Sequence, residues 1–78
     1  MRRISIGKIY KHFKGHIYKV IDIVNDADSV GSKIEKVVIY ENVDDKQRWA
    51  RKYNEFASLV DREKYPNVEQ KYRFEEIK

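Results

Sequence analysis

The chain reads as a mainly β domain, and three observations predict it. Residues 16–24 (HIYKVIDIV) are a run of β-branched and aromatic side chains, which suits a pleated surface better than a helix. Residues 34–41 alternate: Glu35, Val37, Ile39 and Glu41 share one face, and Ile34, Lys36, Val38 and Tyr40 share the other. The three Gly and the single Pro fall between such runs, where they act as turn punctuation.

The elements follow in order. Residues 4–13 approach as a strand, with Ile9, Lys11 and Phe13 on one face and Tyr10 and His12 on the other. Lys14-Gly15 is a tight turn, because Gly tolerates the positive φ such turns need. With residues 16–24 this makes a first hairpin or bent strand pair. Residues 25–33 (NDADSVGSK) are turn-forming and polar, hence a loop. The strand over 34–41 carries apolar atoms on both faces at its centre, as a small barrel requires. Residues 42–46 are a second polar turn, and Pro66-Asn67 breaks the chain before a last strand at 72–77 that puts Tyr72 and Phe74 on one side. Between them, Trp49, Tyr53, Phe56 and Val60 make an apolar stripe at helical spacing, with Asp44 and Gln47 at capping-box spacing. Periodicity alone therefore predicts a helix over 45–60.

Size and composition bound the function classes. The 78 residues suit one thin-cored domain, since a chain this short buries only roughly 60% of its unfolded surface. With no Cys there is no disulfide, thiolate metal site or Cys nucleophile. No apolar run approaches a membrane span or a signal-peptide core, so the expectation is a soluble, cytoplasmic domain without a membrane partner. The net charge of +4 is unevenly spread. Residues 1–20 hold six basic side chains and no acid, residues 21–45 balance to −5, and residues 46–78 balance to +3. A basic first segment studded with aromatics is an electrostatic footprint for phosphate, although a solvated face has the same composition.

The stretch Gly7-Lys8-Ile9-Tyr10-Lys11-His12-Phe13-Lys14-Gly15-His16-Ile17-Tyr18-Lys19-Val20 resembles the opening of a family of small bacterial and phage domains of unknown function. That family's signature is G-x-Y-x-H-F-K-G-x-x-Y-x-V, then V-V-Y, W-x-R-P, M-F and a closing R-F. Here one extra residue separates Gly7 from Tyr10. Val37-Val38-Ile39-Tyr40, Trp49-Ala50-Arg51 and Arg73-Phe74-Glu75-Glu76-Ile77 look like the later elements, in the right order. Lys52 stands where the family has Pro, and Tyr53-Asn54-Glu55-Phe56 replaces its M-F turn. The resemblance implies an SH3-like, strongly bent β-barrel of about five strands, with Trp49 to Arg51 as a strand. A helical turn or short helix then remains around residues 53–60. The family implies no established chemistry.

Function has to come from the residues. His12 and His16 are the only histidines; a turn separates them and no third ligand is near in sequence, so neither a metal nor another cofactor is expected. No Ser or Cys lies in a nucleophile motif, Val30-Gly31-Ser32-Lys33 misses the phosphate-loop pattern, and the acids of the 25–35 loop lack calcium spacing. The residues point away from an enzyme. Six Tyr, three Phe and one Trp exceed what a thin core hides. Phe13, Tyr18, Val38 and Phe74 are expected in the core. Tyr10, His12, Lys14, Tyr40, Trp49 and Arg51 are expected as an exposed ligand-binding cluster, with Arg2, Arg3, Lys8 and Lys11 on phosphates. Flat rings interleaved with cations describe a non-catalytic surface for single-stranded RNA or DNA. The same set suits a protein partner docked on the aromatic patch, or a small anionic or nucleotide-derived ligand. The all-basic first hairpin favours nucleic acid.

Overall fold

The computed structural model describes residues 2–77. Five strands, β1 (Ile9–His12), β2 (Ile17–Asn25), β3 (Lys36–Asn42), β4 (Arg48–Lys52) and β5 (Phe74–Glu76), form one antiparallel sheet in the order β4-β3-β2-β1-β5. A one-turn helix, α1 (Tyr53–Phe56), follows β4 without a break. The fold is thus mainly β, with the short helix where it is expected. Residues 48–52 are strand, so the helical stripe from residue 45 is a false periodicity. Asp44 and Gln47 form no capping box either. Asn42 organises that turn instead: it is buried, and its side-chain oxygen accepts the backbone N–H groups of Asp44 (2.8 Å) and Asp45 (3.2 Å).

One face of the sheet is concave and apolar. Directly opposed residues of an antiparallel pair point the same way, so the registers Tyr10↔Tyr18, Val20↔Tyr40, Val38↔Arg51, Tyr40↔Trp49 and His12↔Phe74 place all of these on that face. A bulge between Val20 and Asp22 re-phases β2. Val20 and Ile23 both turn inward and Asp22 stays exposed, whereas plain alternation would bury Asp22 beside Val20.

The core joins Ile4, Tyr10, Val20, Val38, Tyr40, Phe56 and Phe74. Its centre is aromatic: Phe56 and Phe74 stack at 3.9 Å, and Tyr10 and Tyr40 meet Phe56 edge-on at 5.4 and 5.2 Å. Val38 and Phe74 are core as expected, while Tyr18 is half-buried against it. Phe13 is not core: it lies past the end of β1, half-buried, with its ring 4.8 Å from Tyr65.

The segment before β1 seals the other end of the core. Ile4 is buried, its N–H donates to the Tyr53 hydroxyl (2.8 Å), and the Ser5 N–H donates to the Tyr10 hydroxyl (3.0 Å). Arg2 donates to the carbonyls of Ala57 (3.1 Å) and Phe74 (2.6 Å), with its guanidinium 4.0 Å from the Tyr72 ring centroid. Two of the five N–H donors of Arg2, expected on phosphate, thus tie the first residues to α1 and β5.

The β1–β2 turn closes through His12 N–H to His16 O and Gly15 N–H to His12 O, both 2.8 Å, with Gly15 at φ 104°. A Cβ at Gly15 would meet nothing within 4 Å, so only the backbone angle opposes a side chain there. Gly15→Ala is expected to cost about 1–3 kcal/mol, read as a lower urea midpoint at unchanged slope.

Candidate functional site

The helix and the first residues cover one end of the concave face; the other end is an open cleft of about 400 Å³. Every strand reaches it. His12 comes from the end of β1, Tyr18 from β2, Tyr40 from β3, Trp49 and Arg51 from β4, and Phe74 from β5. The β1–β2 turn adds Phe13, Lys14 and His16, the loop after α1 adds Asp61, Lys64 and Tyr65, and Arg73 stands just before β5. That loop is built by its own contacts. The Asp61 carboxylate accepts the N–H groups of Glu63 (3.0 Å) and Lys64 (3.5 Å), Tyr65 N–H donates to Asp61 O (2.9 Å), and Arg62 donates to the carbonyls of Val68 and Gln70.

Four cations converge on these aromatic walls. Lys14 Nζ lies 5.4 Å from the Tyr65 ring centroid and 6.0 Å from that of Phe13, and the Arg51 guanidinium lies 5.9 Å from that of Phe74. Arg51 Nε donates to the Tyr40 hydroxyl (3.3 Å) and Arg73 Nε to the Ser58 hydroxyl (3.3 Å), which leaves the terminal nitrogens of both guanidinium groups for a ligand. Among the described residues the one ion pair is Arg48–Glu41, outside the cleft. So Lys14, Arg51, Lys64 and Arg73 share the cleft with a single carboxylate, Asp61, at no closer than ion-pair distance.

His12 sits among these charges, its ring 4.4 Å from Phe13 and 4.9 Å from Phe74. Its Nδ1 accepts the Lys14 N–H (3.1 Å), so the neutral ring carries its proton on Nε2. Burial first, then the positive fields of Arg51, Arg73, Lys14 and His16, hold its pKa down at about 4 against an ordinary 6.5. Between those values the unfolded chain binds the proton and the folded one does not, so stability rises with pH across that window. The His12 contribution is therefore constant above about pH 6.5 and turns destabilising as pH falls towards 4. Urea midpoints at about pH 7 and about pH 5 should differ accordingly, and the difference should shrink in His12→Asn.

The expected surface cluster divides. His12, Lys14, Trp49 and Arg51 meet in the cleft, with Trp49 at its rim and 51% exposed. Tyr10, expected at the surface, is 1% exposed and belongs to the core; burial pushes its phenol pKa up. Tyr40, also expected exposed, is 5% exposed and gives the cleft its floor. Arg3, Lys8 and Lys11 are exposed but do not line it; Lys11 points to the convex face, away from Tyr10 and His12. His16, Phe13, Tyr18, Asp61, Lys64, Tyr65, Arg73 and Phe74 were not expected at the site. For Arg73 a signal exists, since it precedes the core Phe74 in the closing R-F. Lys64 and Tyr65 carry none, because only tertiary folding brings their loop to the first turn. Among the described residues no three His, Asp or Glu side chains cluster to hold a metal, and no helix is long and apolar enough to cross a membrane.

What fold and site define is a small antiparallel β domain with a cationic, aromatic cleft at one end of its sheet. Residues 8–76 match the family described as "Protein of unknown function (DUF1653)", and the chain belongs to that family. No curated protein and no solved structure matches the chain.

Proposed function

We propose that this domain is a non-catalytic binding module of the SH3-like type that takes single-stranded RNA or DNA, seating one nucleotide in the cleft. The observation that carries the reading is the convergence of Lys14, Arg51, Lys64 and Arg73 on aromatic walls with one carboxylate among them. Such cations sit close together at a cost unless an anion joins them, and phosphate is the anion that accompanies a stackable ring. The half-exposed Trp49 at the rim offers a face to a base. The cleft lies in the range of about 300–1,000 Å³ usual for small ligands, which suits one nucleotide unit better than a run of bases.

Anisotropy of a labelled single strand tests this. Binding should weaken with salt at a log–log slope of about −0.7 for each phosphate neutralised, hence about −0.7 to −1.4 for the one or two phosphates that flank a single seated nucleotide. Absence of saturable, salt-sensitive binding to any single strand sinks the reading. A bounded concavity also favours a second, narrower reading, a free nucleotide. Thermal stabilisation by mononucleotides without strand binding would select it.

A further inference from the structure

We propose that Arg51, Arg73 and His12 form a phosphate-type oxyanion subsite at the floor of the cleft, and that His12 takes up a proton as the anion enters. This deepens the proposed function and rests on it for the identity of the ligand. The geometry is built on one ring. His12 meets the Phe74 ring at 4.9 Å and the Arg51 guanidinium lies 5.9 Å from the same ring, while Arg73 is the residue next to Phe74. His12 presents Nε2–H, since Nδ1 is held by the Lys14 N–H, and both guanidinium groups keep their terminal nitrogens after bonding Tyr40 and Ser58. Three donor groups thus reach one volume from three different strands or strand ends.

The charges facing His12 come from each element around it. Arg51 stands on β4, Arg73 before β5, Lys14 and His16 in the β1–β2 turn, and Asp61 and Lys64 in the loop after α1. In the empty cleft burial, and after it this surplus of positive charge, keeps His12 unprotonated, with a pKa of about 4. A dianion between the guanidinium groups reverses the local field. An opposite charge within about 4–6 Å raises proton affinity roughly 10- to 1,000-fold. Opposing it, protonation at Nδ1 breaks the bond from the Lys14 N–H, which is exposed and readily hydrated; its loss changes proton affinity about tenfold at most. The anion wins, and the turn carrying Lys14 is released as it binds.

The test uses the intact chain and sulfate, a dianion that does not itself titrate across the window. The His12 Cε1–H resonance is followed against pH with and without saturating sulfate, with His16 as the neighbouring control. Without sulfate the midpoint should fall near 4. With it, the midpoint should rise by at least one unit, and a rise to about 6 makes sulfate binding about tenfold tighter at about pH 5 than at about pH 8. Sulfate that perturbs the cleft but leaves the His12 midpoint in place overturns the proposal, as does sulfate that fails to perturb the cleft. A thymidine dinucleotide with and without a 5′-phosphate distinguishes the sources. A shift with either form supports the subsite and says whether it reads strand backbone or strand end, and no shift with both overturns it. Single-strand binding with an unmoved His12 removes the subsite and leaves the proposed function standing. A sulfate-driven shift without strand binding does the reverse.

Discussion

Phe56→Ala is expected to lower the stability of the domain sharply and to move its urea midpoint far below the parent's. The Phe56 ring is fully buried, stacked on Phe74 at an interplanar angle of 6° and met edge-on by Tyr10 and Tyr40. Truncating such a residue removes about 3–5 kcal/mol through lost transfer energy and the cavity left behind. A 78-residue chain has about 4–12 kcal/mol in all, so this one ring is a large share of the whole. The neighbours have little freedom to collapse into the gap. Tyr10 is tied by its hydroxyl to the Ser5 N–H, and Tyr40 by its own to Arg51. Circular dichroism and urea unfolding would show the loss. A variant as stable as the parent would mean that α1 does not cover the core. Tyr53→Phe probes the same lid more gently: losing the acceptor for the Ile4 N–H should cost about 1–3 kcal/mol and loosen the first residues.

Arg51→Gln combined with Arg73→Gln should lower affinity for single strands about 100-fold or more while the domain stays folded. A hydrogen bond to a charged group is worth about 1.5–3 kcal/mol, and each guanidinium brings at least one to phosphate. The salt slope should fall by about 0.7, because both guanidinium groups face one phosphate. Both residues have a single side-chain bond within the fold, to Tyr40 and Ser58 respectively, so their loss from the core is small. Lys8→Gln with Lys11→Gln is the matched control. These two are exposed and lie outside the cleft lining, so they should change affinity far less. Equal losses from the two pairs would move the site to the first hairpin.

The strands were legible because their apolar residues repeat with the pleat. Val38 and Tyr40 alternate with Val37 and Ile39 as residues 34–41 predicted, and β4 follows the strand reading of Trp49 to Arg51. Tyr10 and Tyr40 misled for a physical reason. Tyr suits both rim and interior, and what decided was that each shares an inward face with Val20 or Val38, a matter of register across strands. The structural role of Arg2 was not legible because its partners lie at Ala57 and Phe74, far along the chain. The bulge at Ile21 did leave a trace: Asp22 sits two residues from Val20 on what alternation would make a buried face. Half of the cleft was equally distant from sequence. His12, Lys14, Trp49 and Arg51 stood out as cations and rings near one hairpin or one strand, but Lys64, Tyr65 and Arg73 reach them only because the 61–72 segment folds back over the β1–β2 turn.

The claim that the cleft holds a nucleotide of a single strand is tested most directly by amide and Trp49 indole chemical shifts during titration with a short oligonucleotide at low salt. The account predicts saturable shifts centred on His12, Phe13, Lys14, Trp49, Tyr65 and Arg73, reversed by added salt, with Lys8, Lys11 and Lys19 little changed. Shifts confined to those three lysines, or none at saturating strand, would contradict it.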